Sequence, residues 1–275
     1  MSALTPEVFE RRFGGLRRLY GVDGAQRIFD AHVAVVGIGG VGSWAVEALA
    51  RSGVRRLTLI DLDHVSESNI NRQIHALEPT LGQAKADAMR ERIALFHPDC
   101  VVEVIDEFVT PDNWPGLLEA LPQGAGQLSA LIDACDQVRA KTTLADWSVS
   151  QGVPFVTVGA AGGKRLAQAV EVADLADTTH DPLLAQLRYR LRKQHGGSRT
   201  GRMGVACVFS REAVAPPDAS CGLDDNDGSL NCHGYGSAVS VTATFGLCAA
   251  GWVMNTLAAD AKKSRHLQRP VTTTL

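Results

Sequence analysis

The chain has 275 residues, 45 % of them hydrophobic and 21 % charged, with a formal net charge of −3. That apolar share excludes a disordered chain, and the lack of any fixed period excludes a repeat array. The slightly negative balance means that a nucleic-acid contact would have to come from a local basic patch. The six cysteines, Cys100, Cys135, Cys207, Cys221, Cys232 and Cys248, form no Cys-x-x-Cys pair. This speaks against a zinc ribbon or dithiol motif, and the irregular spacing points to reduced, intracellular thiols. The opening residues MSALTPEVFERR contain no apolar run of the secretory type, so a cytoplasmic protein is expected.

In chain order, an N-terminal helical arm over 1–30 precedes five short apolar runs: 32–37, 56–61, 101–106, 130–135 and 154–159. Helical stretches over 40–52, 82–96, 111–121 and 138–151 separate them. Continuous β-branched runs flanked by helices predict an α/β fold with a doubly wound, mainly parallel, Rossmann-like sheet whose ligands bind at the carboxyl ends of the strands. Beyond residue 160 the pattern changes to a C-terminal antiparallel extension. Residues 166–176 alternate like a half-buried strand, Asp181-Pro182 opens a helix with apolar Leu183, Leu184, Leu187 and Leu191, and 204–210 is another strand. Residues 211–233 are expected to be a long loop, 234–259 an uncharged helix, and 261–275 a polar tail. That helix is long enough to span a membrane, but its glycines and hydroxyl residues favour a helix buried in the core or at a subunit interface. No linker divides the chain, so a single domain is expected, with a nucleotide-binding core over 31–160 and a substrate and dimer part over 161–260.

Gly37-Ile38-Gly39-Gly40-Val41-Gly42 follows the first strand and opens a helix. Glycine suits a tight turn that lets backbone approach phosphate while helix N–H groups face the anion. Asp61 ends the second strand, where a carboxylate accepts hydrogen bonds from ribose hydroxyls. Taken alone, this is a dinucleotide fingerprint, and an NAD-dependent oxidoreductase is the default reading. The next residues argue otherwise: Asp63, then Asn69, Asn71, Arg72 and Gln73, then Lys85 in GQAK. A planar guanidinium and a compact ammonium so close behind strand two suit a triphosphate. Asp136, just beyond the fourth strand, offers oxygen ligation for nucleotide-bound Mg²⁺. Asn69, Asn71 and Gln73 are also the side chains that satisfy loop backbone groups.

The glycine loop at 37–42, LIDLDHVSESNINRQ at 59–73, GQAK at 82–85 and IDACD at 132–136 together resemble the ubiquitin-activating-enzyme-like adenylyltransferase superfamily. This superfamily includes the activators of molybdopterin-synthase and thiamine-pathway sulfur carriers. The resemblance implies a homodimer that binds ATP and Mg²⁺ and lets a substrate carboxylate attack the α-phosphate. It places Asp61 on the ribose, Asn69, Arg72 and Lys85 on the phosphates, and Asp136 on the metal. Arg72, Lys85 and Asp136 are then the catalytic candidates, and Asp63, Asn71 and Gln73 complete the nucleotide-binding set. No zinc is expected, because the paired Cys-x-x-Cys motifs of the sulfur-carrier activators are missing. A thioester-forming cysteine could only be Cys221 or Cys232, since Cys207 and Cys248 sit in apolar runs.

RRFGGLRRLYG (11–21), HDPLLAQLRYRLRK (180–193) and the VTATFG-containing helix resemble one bacterial branch, whose members cyclise threonylcarbamoyladenosine beside the anticodon of tRNA. The resemblance implies adenylation of the threonyl carboxylate, then ring closure with release of AMP. An Arg from the partner subunit enters the ATP site in related enzymes, and Arg12, Arg17 and Arg18 are the available candidates. A sulfur-transfer protein is a further candidate partner, whereas DNA and membrane are not expected. Residues 188–202 carry Arg188, Arg190, Arg192, Lys193, Arg199 and Arg202 without a carboxylate. Cations favour a helix end, but this cluster exceeds what capping needs and is read as a tRNA surface, extended by Lys164 and Arg165. The rival readings are adenylation of a small carrier protein's C-terminal carboxylate, a non-catalytic nucleotide-gated module, and the oxidoreductase.

Overall fold

In a computed structural model, residues 4–119, 121, 127–216 and 235–259 are described. Helix α1 (Pro6–Phe13) is capped by Thr5, whose hydroxyl accepts the Val8 N–H, and α2 (Gly15–Phe29) follows with a kink at Gly21. Phe9, Phe13 and Phe29 pack as one aromatic cluster with His97. The arm is therefore docked against the domain rather than detached from it.

The sheet then begins with β1 (His32–Val36), α3 (Gly42–Arg51), β2 (Arg56–Ile60), α4 (Lys85–Ala94) and β3 (Val101–Ile105). It continues with the short α5 (Gly116–Glu119), β4 (Ala130–Asp133), α6 (Val138–Gln151) and β5 (Phe155–Val158). The C-terminal part adds β6 (Val170–Asp174), α7 (Pro182–Gln194), β7 (Ala206–Ser210) and α8 (Val239–Ala258). The strands lie in the order β3-β2-β1-β4-β5-β7-β6, all parallel except β6, which pairs antiparallel with β7. The strand order reverses between β1 and β4, and that reversal opens a crevice at the carboxyl edge.

Both faces are covered, as the apolar runs require. Val33 and Val35 of β1 join a core with α3, α4 and α8, while Ala34 and Val36 point into a second core with α6 and α7. The 111–121 helix is a correction. Among its described residues only Gly116–Glu119 is helical, because Pro115 lacks an N–H and disfavours helical geometry at Trp114. The apolar C-terminal helix is buried along one face within this chain. Val241, Phe245, Ala249 and Val253 are buried, but Leu247 is exposed, and only 39 % of the most apolar window is inside the molecule. Among the described residues it alone is long and apolar enough to cross a membrane. Its buried face lies so close to α3 that a Cβ at Gly246 would overlap the Val41 carbonyl oxygen and stand 2.9 Å from Ala45 N.

Candidate functional site

The glycine loop leaves β1 at the strand-order reversal. Gly37 has φ +86°, and a Cβ there would stand 2.8 Å from the Ala134 carbonyl oxygen and 2.9 Å from Cys135 N. A Cβ at Gly42 would overlap the Gly37 carbonyl oxygen, so the turn closes only with glycine at both ends. Gly39 is open: the nearest atom to a Cβ there is Gln73 Nε2, at 4.0 Å. Gly40 lies under the Arg72 side chain, whose Cγ and Cδ would be 3.2 Å from an added Cβ. Trp44 fixes this arrangement by donating its indole N–H to the Arg72 carbonyl at 2.9 Å. The amino end of α3 thus opens beneath a guanidinium, a combination that suits bound phosphate.

Asp61 is buried at the end of β2, where Oδ2 accepts the Ile38 N–H at 2.5 Å and Oδ1 accepts the Asp63 N–H at 2.8 Å. Burial raises its pKa, against the opposing pull of Lys85 and the two backbone donors. Lys85 is itself buried and donates to Asp63 Oδ2 at 2.7 Å, while the Asp63 side chain remains half exposed. The two proposed nucleotide contacts are therefore each other's partner here. Arg72 is buried too, with Nη1 donating to the Ser68 carbonyl and to Asn71 Oδ1, at 2.5 and 2.8 Å. Burial lowers its pKa. Asn69 holds the loop, its Oδ1 accepting the Ser66 N–H at 3.1 Å, and Asn71 Nδ2 donates to the Ser237 carbonyl at 3.2 Å. Gln73 is 5 % exposed, and its buried Oε1 has no partner. Its amide faces the open glycine, which a loop-satisfying role alone does not explain.

Asp136 is exposed just before α6, a hard oxygen donor on the same edge and chemically suited to Mg²⁺. Below it lies a buried pair that pattern reading missed. Lys141 and Asp133 are both fully buried, with Nζ–Oδ2 at 3.0 Å. Lys141 also donates to Thr157 Oγ1 at 3.1 Å and to the Val158 carbonyl at 2.8 Å. The Thr157 hydroxyl donates to Asp133 Oδ2 at 2.6 Å, and Cys135 gives its N–H and S–H to Oδ1. Burial works to lower the Lys141 pKa, but Asp133 and Cys135 outweigh it and the group is raised. The network shapes the turn that carries Ala134 and Cys135 against Gly37. The available sequence signal was a lysine on the helix face that also carries Leu144, Ala145 and Ser148.

The basic residues do not form one surface. Lys164 is 2 % exposed and donates to the carbonyls of Ser210, Glu212 and His180, at 3.0, 2.8 and 3.4 Å, which removes it from an RNA surface. Burial lowers its pKa. Arg188 is half-buried and donates Nη1 to the Leu175 and Thr178 carbonyls and the Thr178 hydroxyl. Arg190 and Arg192 are half-exposed, and Lys193, Arg199, Arg202 and Arg165 are exposed. Arg192 donates to the Ser198 carbonyl, and Arg202 stands 3.7 Å from Asp174, which pairs with the first residue of β7. The run after α7 therefore stands at the amino-terminal edge of the sheet. It lies about 20 Å, one length of α7, from the glycine loop's edge.

Burial pushes the Cys100 thiol up to about 12 and raises Cys135, Cys207 and Cys248 as well, so none of these four favours a thiolate nucleophile. Cys221 and Cys232 lie outside the described residues, as does most of the 211–233 loop and the 261–275 tail. Among the described residues no group of three or more His, Cys, Asp or Glu could hold a metal ion.

A doubly wound sheet, a glycine loop at its reversal point, and a buried Asp, Arg and Lys around that loop define a nucleotide-binding α/β protein. The ThiF family model matches residues 13–273. The chain is 44 % identical over 272 residues to the tRNA threonylcarbamoyladenosine dehydratase of Escherichia coli K12, covering 96 % of this chain and 99 % of that one. Crystal structures of the E. coli dehydratase TcdA superpose on it in complex with ATP (TM-score 0.82, 43 % identity) and with AMP (TM-score 0.83, 44 % identity). Each covers 96 % of this chain and all of the other. The chain belongs to the ThiF family, within its branch of tRNA threonylcarbamoyladenosine dehydratases.

Proposed function

We propose that the chain cyclises threonylcarbamoyladenosine beside the anticodon of tRNA in an ATP-dependent dehydration. The threonyl carboxylate attacks the α-phosphorus of ATP, pyrophosphate leaves, and an acyl-adenylate forms. The carbamoyl nitrogen then attacks the activated carbonyl carbon, the ring closes, and AMP leaves with the oxygen lost from the nucleoside. The observation that carries this reading is the likeness to the E. coli dehydratase along nearly the whole of both chains.

In this reading the open Gly39 and the amino end of α3 sit against phosphate, and Asp61 takes the ribose hydroxyls. Arg72 lies across the phosphates from above the loop, and Gln73 offers its free amide to the same ligand. Lys85 exchanges Asp63 for phosphate oxygens, so its charge is released to the nucleotide as the nucleotide binds. Such cations accelerate the reaction to the extent that they hold the transition state more tightly than ATP itself. Asp136 would hold Mg²⁺, which neutralises phosphate charge when bound. Asn69 and Asn71 keep the loop shaped for Arg72. The uncharged outer face of α8 suits a second copy of the chain, and a cytoplasmic homodimer fits the reading. Arg190, Arg192, Lys193, Arg199 and Arg202 supply a phosphate-contacting surface, which an anticodon arm longer than α7 can reach while its loop enters the carboxyl edge.

The test is AMP release from ATP with tRNA taken from cells that lack this enzyme, alongside mass spectrometry of the digested nucleosides. Equal amounts of AMP and dehydrated threonylcarbamoyladenosine are expected. AMP release driven by a small carrier protein instead of tRNA would move the substrate to that protein's C-terminal carboxylate.

A further inference from the structure

The carboxyl edge of the sheet holds a second concavity, beside β5 and β7 rather than at the glycine loop. Thr179, His180, Pro182, Ala185, Arg188 and Val214 line a cavity of about 340 Å³ between the start of α7 and the segment after β7. Its walls are tied to the sheet. Asp181 Oδ1 accepts the Leu184 N–H at 3.0 Å and caps α7, while Oδ2 accepts the Ala160 N–H at 2.9 Å just beyond β5. The fit is close enough that a Cβ at Gly159 would overlap that oxygen. The buried Lys164 braces the other side through the Ser210, Glu212 and His180 carbonyls. Arg188, which the basic run suggested as an outer phosphate contact, instead forms part of the cavity wall, with Nη1 held by three acceptors. Its guanidinium plane is thereby fixed in place.

We propose that this cavity receives the purine of the modified nucleoside, an assignment that rests on the dehydratase reading above. Adenylation requires the threonyl carboxylate at the α-phosphate while the base to which it is joined sits elsewhere. From β1, which carries the glycine loop, to β5 is two strand spacings, about 10 Å. The arm from the purine N6 to the carboxylate spans five covalent bonds, about 6 Å extended. The arm covers more than half of that separation, and the width of the purine that carries N6 covers the rest, so a base seated beside β5 and β7 reaches back along the edge to a nucleotide seated over β1 and β4. The volume falls in the range of small-ligand sites. A pinned guanidinium and an imidazole are also the planar groups on which bases splayed from single-stranded loops stack. A rigid wall suits a base that must present its arm at one angle.

Two variants test the assignment without touching the nucleotide site. Ala185 is exposed on α7, so Ala185→Trp fills the cavity from its open side. His180 has φ +57°, so His180→Gly removes the ring where glycine fits the backbone. Both proteins should keep their melting temperature, their ATP affinity by calorimetry and their affinity for unmodified tRNA. The KM for tRNA carrying threonylcarbamoyladenosine should rise at least tenfold in Ala185→Trp and by a smaller factor in His180→Gly. A folded Ala185→Trp protein with an unchanged KM, beside an active wild type, overturns the pocket assignment alone. A wild type that neither releases AMP nor dehydrates the modified tRNA overturns the dehydratase reading and this assignment with it.

Discussion

Replacing Lys141 with Met removes a cation that is fully buried and donates to Asp133 Oδ2, Thr157 Oγ1 and the Val158 carbonyl. Methionine matches the length of the aliphatic stem, so the loss is mainly electrostatic. What remains is the Asp133 carboxylate with no exposed surface, held only by the Thr157 hydroxyl and the N–H and S–H of Cys135. Breaking a buried pair from one side costs about 3–5 kcal/mol, whereas removing both charges together is often close to neutral. At about 2–4 °C per kcal/mol for a domain of this size, Lys141→Met should melt roughly 6–20 °C below the wild type. Adding Asp133→Asn should recover at least half of that loss. Differential scanning fluorimetry of the three proteins measures both numbers. A Lys141→Met protein within about 1 kcal/mol of wild type would refute the reasoning, because it would mean that water reaches Asp133 and the pair is not an interior one.

Other outcomes follow from the same structure. His75 is 1 % exposed with neither ring nitrogen partnered, and burial, Lys85 and Arg92 lower its pKa to about 4. The unfolded chain protonates near 6.5 and the folded one only near 4, so this residue's contribution to stability is intact above pH 6.5 and is lost as pH falls towards 4. The loss amounts to about 3 kcal/mol, and His75→Leu should flatten that part of the stability–pH curve relative to wild type in urea titrations. Gly42→Ala should abolish ATP binding because its Cβ overlaps the Gly37 carbonyl. Gly39→Ala should keep the wild-type melting temperature while weakening ATP binding, which calorimetry separates. Lys85→Ala and Arg72→Ala should lower kcat more than ATP affinity, and a raised KM with unchanged kcat would contradict a transition-state role. Neutralising Arg190, Arg192 and Lys193 together should weaken tRNA binding with ATP affinity retained. The log–log salt slope of that binding should become shallower by about 0.7–0.9 for every phosphate left without its cation.

The parallel strands and the glycine loop were legible because each rests on local rules. An apolar run between helices can hardly be anything but a covered strand, and the steric demand at Gly37 and Gly42 is written in the residue type. Asp61, Arg72 and Lys85 could likewise be placed from their distance behind the loop. The fate of a cation was not legible in this way. Lys164 reads as a rim charge, yet it is buried because carbonyls from the end of β7, nearly fifty residues on, converge on it. Lys141 acquires its role only when the turn after β4 brings Asp133 to it. The direction of the basic run was hidden for the same reason. β6 ends at the amino-terminal edge, and only the segment 175–181 brings the chain back beside Ala160 at the carboxyl edge, from which α7 carries its arginines away from the glycine loop.

The approach of α8 to the first turn of α3 means that the turn closing the glycine loop has a backbone, not a side chain, for its backstop. With Gly246 against the Val41 carbonyl and Ala45 N, no flexible group lies between them to absorb a shift. The long helix thus seats the first turn of α3, and any side chain larger than hydrogen at position 246 would displace the turn that closes the glycine loop.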